Sequence, residues 1–524
     1  MKQIFFAFIF CVIFFSASVS FAASRGKIIY IPIDNRPVNL FQVVEVAEKI
    51  GYEVAVPPDE ILGSLESSGN PDELWKWLNE NSFGANAAVI STDAMIYGSL
   101  VGSRKHNLTA EKIIERAKNV EKFKEDFPAL PIYTFGSIMR TPAQGYKDYP
   151  EDPDYYFEYG ARIFEFTALK DKSETEKLSR SEKKKFNRLE KEIPAEYLND
   201  WFNRRAKNFD ANKYFIDLTR KGAFNYFFLG CDDSAIFSQT HLESRHLKEY
   251  GKDLGSAFLQ VASGVDELGM LMMSRAINND LHEIPFVSVR YNAGTGSDTI
   301  PTFSNGKIKN DINDAIVAMG GLKVSDDKNA DFVLAVNTNI NGKTPQACFP
   351  NLPKEIRKDT REFMKIVDEL ENKNYKILVC DIATFNGSDN ALMEQLRKNN
   401  LQFKINGYGG WNTATNSTGF LIGQGVLTKF MSERDKNSLL LTRYLDDWIY
   451  QANVRNLLAD ILGNLPGEGD YMNLKTKKDS AAEKATEMSK KFADENLILP
   501  SDISLKNLSV KFPWNRMFEC DPRF

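Results

Sequence analysis

The chain has 524 residues, of which 43% are hydrophobic and 26% are charged, a composition typical of globular proteins with enough apolar material for a large core. Its 66 basic and 71 acidic residues leave a net charge of only −5, which is too small to attract the protein to nucleic acid or to anionic lipid. We therefore exclude nucleic acid as a partner.

The first 23 residues have the organisation of a cleavable signal peptide. Lys2 precedes an apolar stretch from Ile4 to Phe15, and the small residues Ser20 and Ala22 suit cleavage close by. The apolar stretch is shorter than the roughly 20 residues that a membrane-spanning helix needs. We therefore expect a secreted or periplasmic protein that has no membrane contact once the signal is removed.

Short runs rich in Val, Ile, Tyr and Phe then alternate with helical patterns, which indicates a parallel α/β protein. Eight or nine such units favour a (β/α)8 barrel of the TIM type over residues 24–425, and open doubly wound parallel sheets are the alternative. No internal repeat is apparent. The predicted strands cover residues 27–33, 52–57, 86–92, 131–138, 225–230, 285–291, 331–337, 376–382 and 403–409.

Two regions depart from this alternation. Residues 166–220 are dense in charge and favour helix, which indicates a helical insertion with a solvated basic face. Beyond residue 425 the strand patterns stop, and the apolar spacing predicts a helical C-terminal region over residues 426–524.

Polar and aromatic side chains follow most of the predicted strands. In a barrel and in an open parallel sheet alike, the loops after the strands form the binding site. Single Asp or Asn residues there also form turns and helix N-caps, but turns do not require Arg, Tyr and Trp beside them. Because sugars combine hydroxyl groups with apolar ring faces, this mixture predicts a carbohydrate site. The predicted substrate-binding residues are Asp34, Arg36, Asn39, Asp93, Tyr97, Arg140, Asn292, Asn386, Asp389, Trp411, Asn412 and Asn416.

Two adjacent carboxylates, Asp232 and Asp233, follow the fifth predicted strand in the run YFFLGCDDS. The pair could form an ordinary solvated turn. If both side chains face one pocket, repulsion and burial raise one pKa, so that one group is a proton donor while its neighbour stays ionised. Glycoside hydrolysis needs this division of roles, and adjacent carboxyls suit the route in which the 2-acetamido group of the sugar is the nucleophile. We therefore predict Asp232 and Asp233 as catalytic residues.

Other chemistries have weaker support in the sequence. The four histidines include no H-x-x-x-H pair, and His241 and His246 are five apart, off a common helical face, so no zinc centre and no other cofactor is predicted. An oxygen-ligand cation site formed by Asp34, Asp93 and Asp232 stays open and would make the protein a metal-dependent hydrolase of an open α/β fold. A carbohydrate-binding protein without catalysis is the other alternative.

The cysteines outside the signal match no zinc pattern, and their disulfide pairing stays open. Cys231 and Cys380 end apolar runs, where a small buried thiol is the common explanation. The remaining two are Cys348 and Cys520.

Two resemblances add to this interpretation. The segments PIDNRPVN, STDAMIYGSLVGSR, CDD, DELGMLMMSRA and GYGGWNTATNSTG resemble a bacterial family of unknown function with a P-x-D-x-R-P-V-N opening. Separately, the strand followed by Asp-Asp, with Asn- and Trp-containing loops downstream, is similar to the O-GlcNAcase-type glycoside hydrolases.

The second resemblance implies a retaining β-N-acetylglucosaminidase on a (β/α)8 barrel. In that case Asp232 would polarise the acetamido group, Asp233 would be the acid/base, and the loops at residues 386–389 and 411–416 would hold sugar hydroxyls. The chain departs from those enzymes, because its pair follows the fifth rather than the fourth strand and IDNRPVN replaces their glycine-rich opening loop. We expect an exported glycoside hydrolase that acts on N-acetylhexosamine-containing glycans; the glycan, the linkage and the oligomeric state stay open.

Overall fold

The computed structural model describes residues 24–147, 149–347, 356–463 and 472–524. These ranges contain a six-stranded sheet and a five-stranded sheet, both parallel, and a separate two-stranded antiparallel hairpin. The strands are β1 (Gly26–Ile31), β2 (Tyr52–Ala55), β3 (Ala87–Ser91), β4 (Ile132–Ile138), β5 (Tyr226–Cys231), β6 (Leu259–Ser263), β7 (Phe286–Tyr291), β8 (Leu322–Lys323), β9 (Phe332–Asn337), β10 (Ile377–Asp381), β11 (Gly407–Gly409), β12 (Ser509–Lys511) and β13 (Asp521–Arg523).

Helices connect the strands and cover both faces of the sheets. The α-helices are α1 (Phe41–Glu48), α2 (Pro71–Asn81), α3 (Thr92–Tyr97), α4 (Leu100–Lys105), α5 (Ala110–Asp126), α6 (Tyr156–Thr175), α7 (Arg180–Glu192), α8 (Ala195–Arg220), α9 (Gln239–Tyr250), α10 (Leu268–Asp280), α11 (Ile308–Ala318), α12 (Lys358–Asn372), α13 (Asn390–Lys398), α14 (Ala414–Leu427), α15 (Glu433–Arg443), α16 (Arg455–Leu462) and α17 (Lys478–Asn496). A π-helix, Tyr444–Val454, lies between α15 and α16.

The two sheets repeat one topology. The first has the order β2-β1-β3-β4-β5-β6, and the second has the order β11-β10-β9-β7-β8. Counted from β7, the second sheet reads 2-1-3-4-5, which is the order of the first five strands of the first sheet. This is the flavodoxin-like doubly wound order, so the structure contains a repeat that the sequence does not reveal.

Neither sheet closes into a barrel within the described residues. Strands β2 and β6 are the edges of the first sheet, and β11 and β8 are the edges of the second. The α/β class with parallel sheets is confirmed, the (β/α)8 barrel is not, and the topology matches the open-sheet alternative. All nine predicted strands overlap observed ones, but a hydrophobic run does not encode its lateral neighbour, so the same runs fit a barrel and two open sheets.

A shared apolar core joins the two sheets. Helix α10 packs against β3 and β4 of the first sheet and against α14 on the second, and its residues Met270 to Met273 are fully buried. The same core contains Phe228 from the first sheet and Leu378 from the second. Because strands covered on both faces are buried throughout, β3, β5 and β10 read as continuous apolar runs in the sequence.

The predicted helical insertion at residues 166–220 falls on α6, α7 and α8. The predicted helical C-terminal region contains α15, the π-helix, α16 and α17, and it ends in the β12–β13 hairpin. Its side chains form a second core with the second sheet, which contains Tyr444 and Phe512 together with Tyr408 of β11. Between the two hairpin strands the chain returns to the first sheet, where Trp514 Nε1 donates a hydrogen bond of 2.8 Å to Asn35 Oδ1.

The predictions for the N-terminal signal, the cysteines and the membrane have different outcomes. The predicted signal peptide at residues 1–23 and Cys348 lie outside the described residues. Cys231, Cys380 and Cys520 are buried thiols that form no disulfide. None of the helices in the described ranges combines the length and the apolar character that crossing a membrane requires.

Candidate active site

A cavity of about 200 Å³ lies at the carboxyl ends of both parallel sheets. The loops after β1, β4, β5 and β6 and helix α4 reach it from the first sheet, and the loops after β7, β10 and β11 reach it from the second. In doubly wound sheets this edge is where ligands bind. The predicted site residues that line the cavity are Arg36, Arg140, Asp232, Asp233, Asn386, Asn412 and Asn416.

Asp232 directly follows β5 and forms an ion pair with Arg104. Its N–H donates to the Ile138 carbonyl at 3.1 Å, which extends the β4–β5 ladder by one residue. Arg104, in the last turn of α4, places Nε at 2.9 Å and Nη2 at 2.7 Å from Oδ2 of Asp232. The Asp232 side chain is only 8% exposed, so this charge-assisted contact is largely shielded from water.

Asp233 has different surroundings from its neighbour. Its side chain is 35% exposed and faces Arg140 loosely, with Nη1 at 3.6 Å from Oδ2. Burial, followed by the charge of Asp232, raises the pKa of Asp233 to about 6. The pair therefore consists of one carboxylate fixed by a guanidinium and one carboxyl that can carry a proton near neutral pH.

Glu151 is the centre of an arginine cluster that the sequence does not reveal. Its carboxylate pairs with Nη1 of Arg104 and Nη1 of Arg516, lies 3.4 Å from Nη1 of Arg140, and accepts a 2.8 Å hydrogen bond from the Tyr149 hydroxyl. Burial on its own raises the pKa of Glu151, but the arginines outweigh burial and hold this pKa well below its usual range. Glu151 thus joins three arginines from separate parts of the chain at one wall of the cavity.

Asp266 links the two sheets across the cavity. Its Oδ1 accepts from Arg36 Nη2 at 2.7 Å, and its Oδ2 accepts from Asn412 Nδ2 at 3.1 Å and from Asn416 Nδ2 at 3.3 Å. Burial raises the pKa of Asp266 even though Arg36 opposes the shift. Sequence reasoning missed Asp266 because it missed β6, whose short run LQVAS carries the polar Gln260.

Two predicted binding residues act behind the cavity wall. Asp34 accepts from Arg36 Nε at 3.0 Å and from Asn39 Nδ2 at 2.8 Å, and both Asp34 and Asn39 are buried. They orient Arg36, which itself lines the cavity. The PIDNRPVN motif therefore positions the guanidinium of Arg36 at the cavity.

Three further predicted residues are held elsewhere by local contacts. Asp93 accepts the backbone N–H and the hydroxyl of Ser137, both at 2.7 Å, and burial raises its pKa to about 6. Tyr97 stacks on His106 with ring centroids 4.7 Å apart. Asn292 donates to the side chain of Asn337 at 3.1 Å. None of the three lines the cavity.

Asp389 and Trp411 complete the predicted set and also lie behind the cavity. Asp389 caps α13 by accepting the Ala391 N–H at 3.1 Å and pairs with Arg357. Trp411 is buried, with its ring centroid 6.1 Å from that of Phe518, which lines the cavity. Asp389 therefore supports the second sheet, and Trp411 supports a wall of the cavity.

Backbone strain concentrates at the cavity. Asp233, Phe303 and Asn386 have φ values of +37°, +67° and +56°, and all three line the cavity. They are three of the seven non-glycine residues with positive φ in the described ranges. Asp and Asn tolerate this conformation, whereas a bulky residue such as Phe303 rarely adopts it, so the strain at Phe303 marks the cavity independently of its charges.

The carboxylates proposed for a cation site do not converge. Asp34, Asp93 and Asp232 are held by separate partners, namely Arg36, Ser137 and Arg104. Across the described ranges, no group of three or more acidic, histidine or cysteine side chains is placed to hold a metal ion. These three carboxylates therefore do not form one cation site within the described ranges.

The fold and the cavity define an α/β protein with two doubly wound parallel sheets and a polar site at their shared carboxyl edge. The chain belongs to the family described as "Protein of unknown function (DUF4127)", whose model matches residues 28–522. The resemblance to a family of unknown function is thereby confirmed. Comparisons with curated proteins and with solved structures found no match.

Proposed function

We propose that the protein hydrolyses glycosidic bonds, with Asp233 as the general acid and Asp232 as its ionised partner. The observation that carries this proposal is the contrast between the adjacent carboxyls, one paired with Arg104 and one with a pKa of about 6. Carboxyl groups whose surroundings set their protonation apart are the basis of acid and base roles in glycosidases.

The geometry of the pair supports a separate role for each carboxyl. Asp233 is accessible from the cavity and can protonate the leaving glycosidic oxygen. Both Arg104 contacts to Asp232 go to Oδ2, which leaves Oδ1 to accept the N–H of a 2-acetamido group, as in the substrate-assisted route. The likeness to O-GlcNAcase-type enzymes supports these roles for the Asp pair only. Those enzymes have a (β/α)8 barrel, whereas the sheets around this pair are open.

The rest of the cavity suits a neutral, hydroxyl-rich ligand. Arg36 and Arg516 already pair with carboxylates of the protein, so neither brings an unmatched positive charge. The amides of Asn386, Asn412 and Asn416 offer donors and acceptors for hydroxyl groups. An exported enzyme that acts on N-acetylhexosamine-containing glycans is the specific form of the proposal.

A screen of the purified protein against 4-nitrophenyl glycosides, with and without EDTA, tests the proposal. We expect turnover that persists in EDTA and is faster on 2-acetamido sugars than on the matching plain hexosides. Activity that is lost in EDTA and restored by magnesium, manganese or calcium would instead support a metal-dependent hydrolase. Binding of sugars without turnover would support a carbohydrate-binding protein.

A further inference from the structure

Phe303 occupies an unusual position at the edge of the cavity. It lines the cavity, the residue is 42% exposed, and its φ of +67° is one that a bulky side chain rarely adopts. An exposed aromatic ring and a strained backbone are both unfavourable for folding. Their coincidence at one residue of a cavity points to a role in binding.

The loop around Phe303 is anchored on both sides, so the position of the ring is fixed. Before it, Thr302 N–H donates to Thr344 Oγ1 at 2.9 Å; after it, Ser304 Oγ donates to Asp311 Oδ2 at 3.0 Å. The Phe303 ring also packs edge to face on Phe385, with centroids 5.5 Å apart. A rigid, partly exposed ring binds a flat apolar surface with little loss of conformational entropy.

The same loop is bonded to the turn that carries the proposed acid. The N–H of Ser234, directly after Asp233, donates to the Phe303 carbonyl at 3.2 Å. The Ser234 hydroxyl accepts from Asn305 Nδ2 at 3.1 Å. Phe303 is therefore held next to the residue that would protonate the glycosidic oxygen, which departs together with the aglycone when the bond to the anomeric carbon breaks.

We propose that the Phe303 ring is the platform of a leaving-group subsite, where it stacks on the apolar face of a pyranose or on an aromatic aglycone. This inference rests on the proposed hydrolysis of glycosides and adds the substrate class, because it requires a ring on the leaving side. A sugar joined to a small alkyl group would leave the platform uncovered.

The test compares Phe303→Gly and Phe303→Ala on a 4-nitrophenyl glycoside and on the methyl glycoside of the same sugar. We expect kcat/KM to fall about tenfold on the aryl glycoside in both variants and to change little on the methyl glycoside. Phe303→Trp should retain activity on the aryl glycoside. Phe258→Ala, which removes another half-exposed ring outside the cavity, is the matched control and should leave both substrates unaffected.

The two small variants also separate the ring from the backbone. Glycine adopts positive φ without penalty and alanine does not, so Phe303→Gly should unfold at a higher temperature than Phe303→Ala while both lose the same activity. Equal losses on the aryl and methyl substrates, or no loss on either, would overturn the subsite while hydrolysis stands. A wild-type protein that turns over no glycoside would overturn the proposed function and the subsite with it.

Discussion

The guanidinium of Arg104 donates two hydrogen bonds to a single oxygen of Asp232, although 128 positions separate the two residues in the chain. The same guanidinium pairs with Glu151 through Nη1. One buried side chain thus compensates two buried carboxylates that come from different loops. Removing it would leave both carboxylates without their shared partner.

We therefore expect Arg104→Gln to lower the free energy of unfolding by about 3 to 5 kcal/mol at about pH 8, the usual loss when a buried ion pair loses one partner. Urea denaturation measures it.

The control for this variant is Arg290→Gln. Arg290 makes the same two-donor contact with Asp327, with Nε at 2.9 Å and Nη2 at 2.6 Å from Oδ2, but its side chain is half-exposed. Its removal should cost no more than about 1 kcal/mol. Equal losses for the two arginines would show that Arg104 holds no buried charge that matters for stability.

Asp233→Asn should abolish most of the activity on substrates with a poor leaving group. General-acid catalysis contributes between about 10² and 10⁴-fold, and 4-nitrophenolate needs less proton transfer than a sugar hydroxyl does. The loss should therefore be large on a disaccharide and smaller on the 4-nitrophenyl glycoside. Steady-state kcat/KM on both substrates tests this, and equal losses would remove Asp233 from the role of acid.

The pH profile of the same reaction provides a second test. A general acid acts while protonated, so kcat/KM should hold below a pH of about 6 and fall as the pH rises through the pKa of Asp233. That alkaline limb should be absent in Asp233→Asn. Asp93, whose pKa is also raised to about 6 but which does not line the cavity, is the matched control. If Asp93→Asn rather than Asp233→Asn removed the limb, the assignment would be wrong.

The raised pKa of Asp233 also predicts a gain in stability when its charge is removed. Between the ordinary pKa of 3.8 and the folded value of about 6, the native state binds the extra proton, so the free energy of unfolding falls as the pH rises through this window. Asp233→Asn should therefore stabilise the protein at about pH 7.5, by on the order of 1 kcal/mol for a side chain that is 35% exposed, and have little effect at about pH 4. Thermal unfolding at the two pH values would refute this if the gain were larger in acid.

The acid pair was predictable from the sequence because parallel strands bring their carboxyl ends to one edge. Asp232, Asp233 and Arg140 each follow a buried apolar run, and the rule that loops after strands form the site places all three at the cavity. The rule does not say which way a side chain turns. Asp93 and Trp411 also follow strands, yet one bonds to the neighbouring strand and the other packs behind Phe518.

Contacts between distant segments could not be predicted from the sequence. Glu151 and Arg516 are 365 positions apart, in stretches without strand or helix periodicity, and only the folded chain shows that they pair. The choice between a barrel and two open sheets is of the same kind, since it depends on which strands lie side by side. Local hydrophobic patterns indicate most of the elements, but they do not determine lateral order or long-range ion pairs.

The C-terminal tail makes another contact between distant segments, through Trp514. The indole of Trp514 contacts two guanidinium groups, with its ring centroid 5.0 Å from Cζ of Arg36 and 4.8 Å from Cζ of Arg516, and its Nε1 donates to Asn35 at 2.8 Å. Both arginines line the cavity. The tail therefore holds one wall of the site in place from the far end of the chain.

Trp514→Leu should lower the free energy of unfolding by about 3 kcal/mol, because it removes a buried ring, both cation–π contacts and a hydrogen bond. It should also raise KM, since Arg36 and Arg516 lose the ring that fixes their planes. Trp514→Phe keeps an aromatic face but loses the hydrogen bond and part of the ring volume, so its loss should be about 1 to 2 kcal/mol, with KM nearly unchanged. Urea denaturation and steady-state kinetics on the three proteins distinguish these outcomes. If both variants shifted KM equally, the hydrogen bond to Asn35 rather than the stacked guanidinium groups would be what fixes the wall.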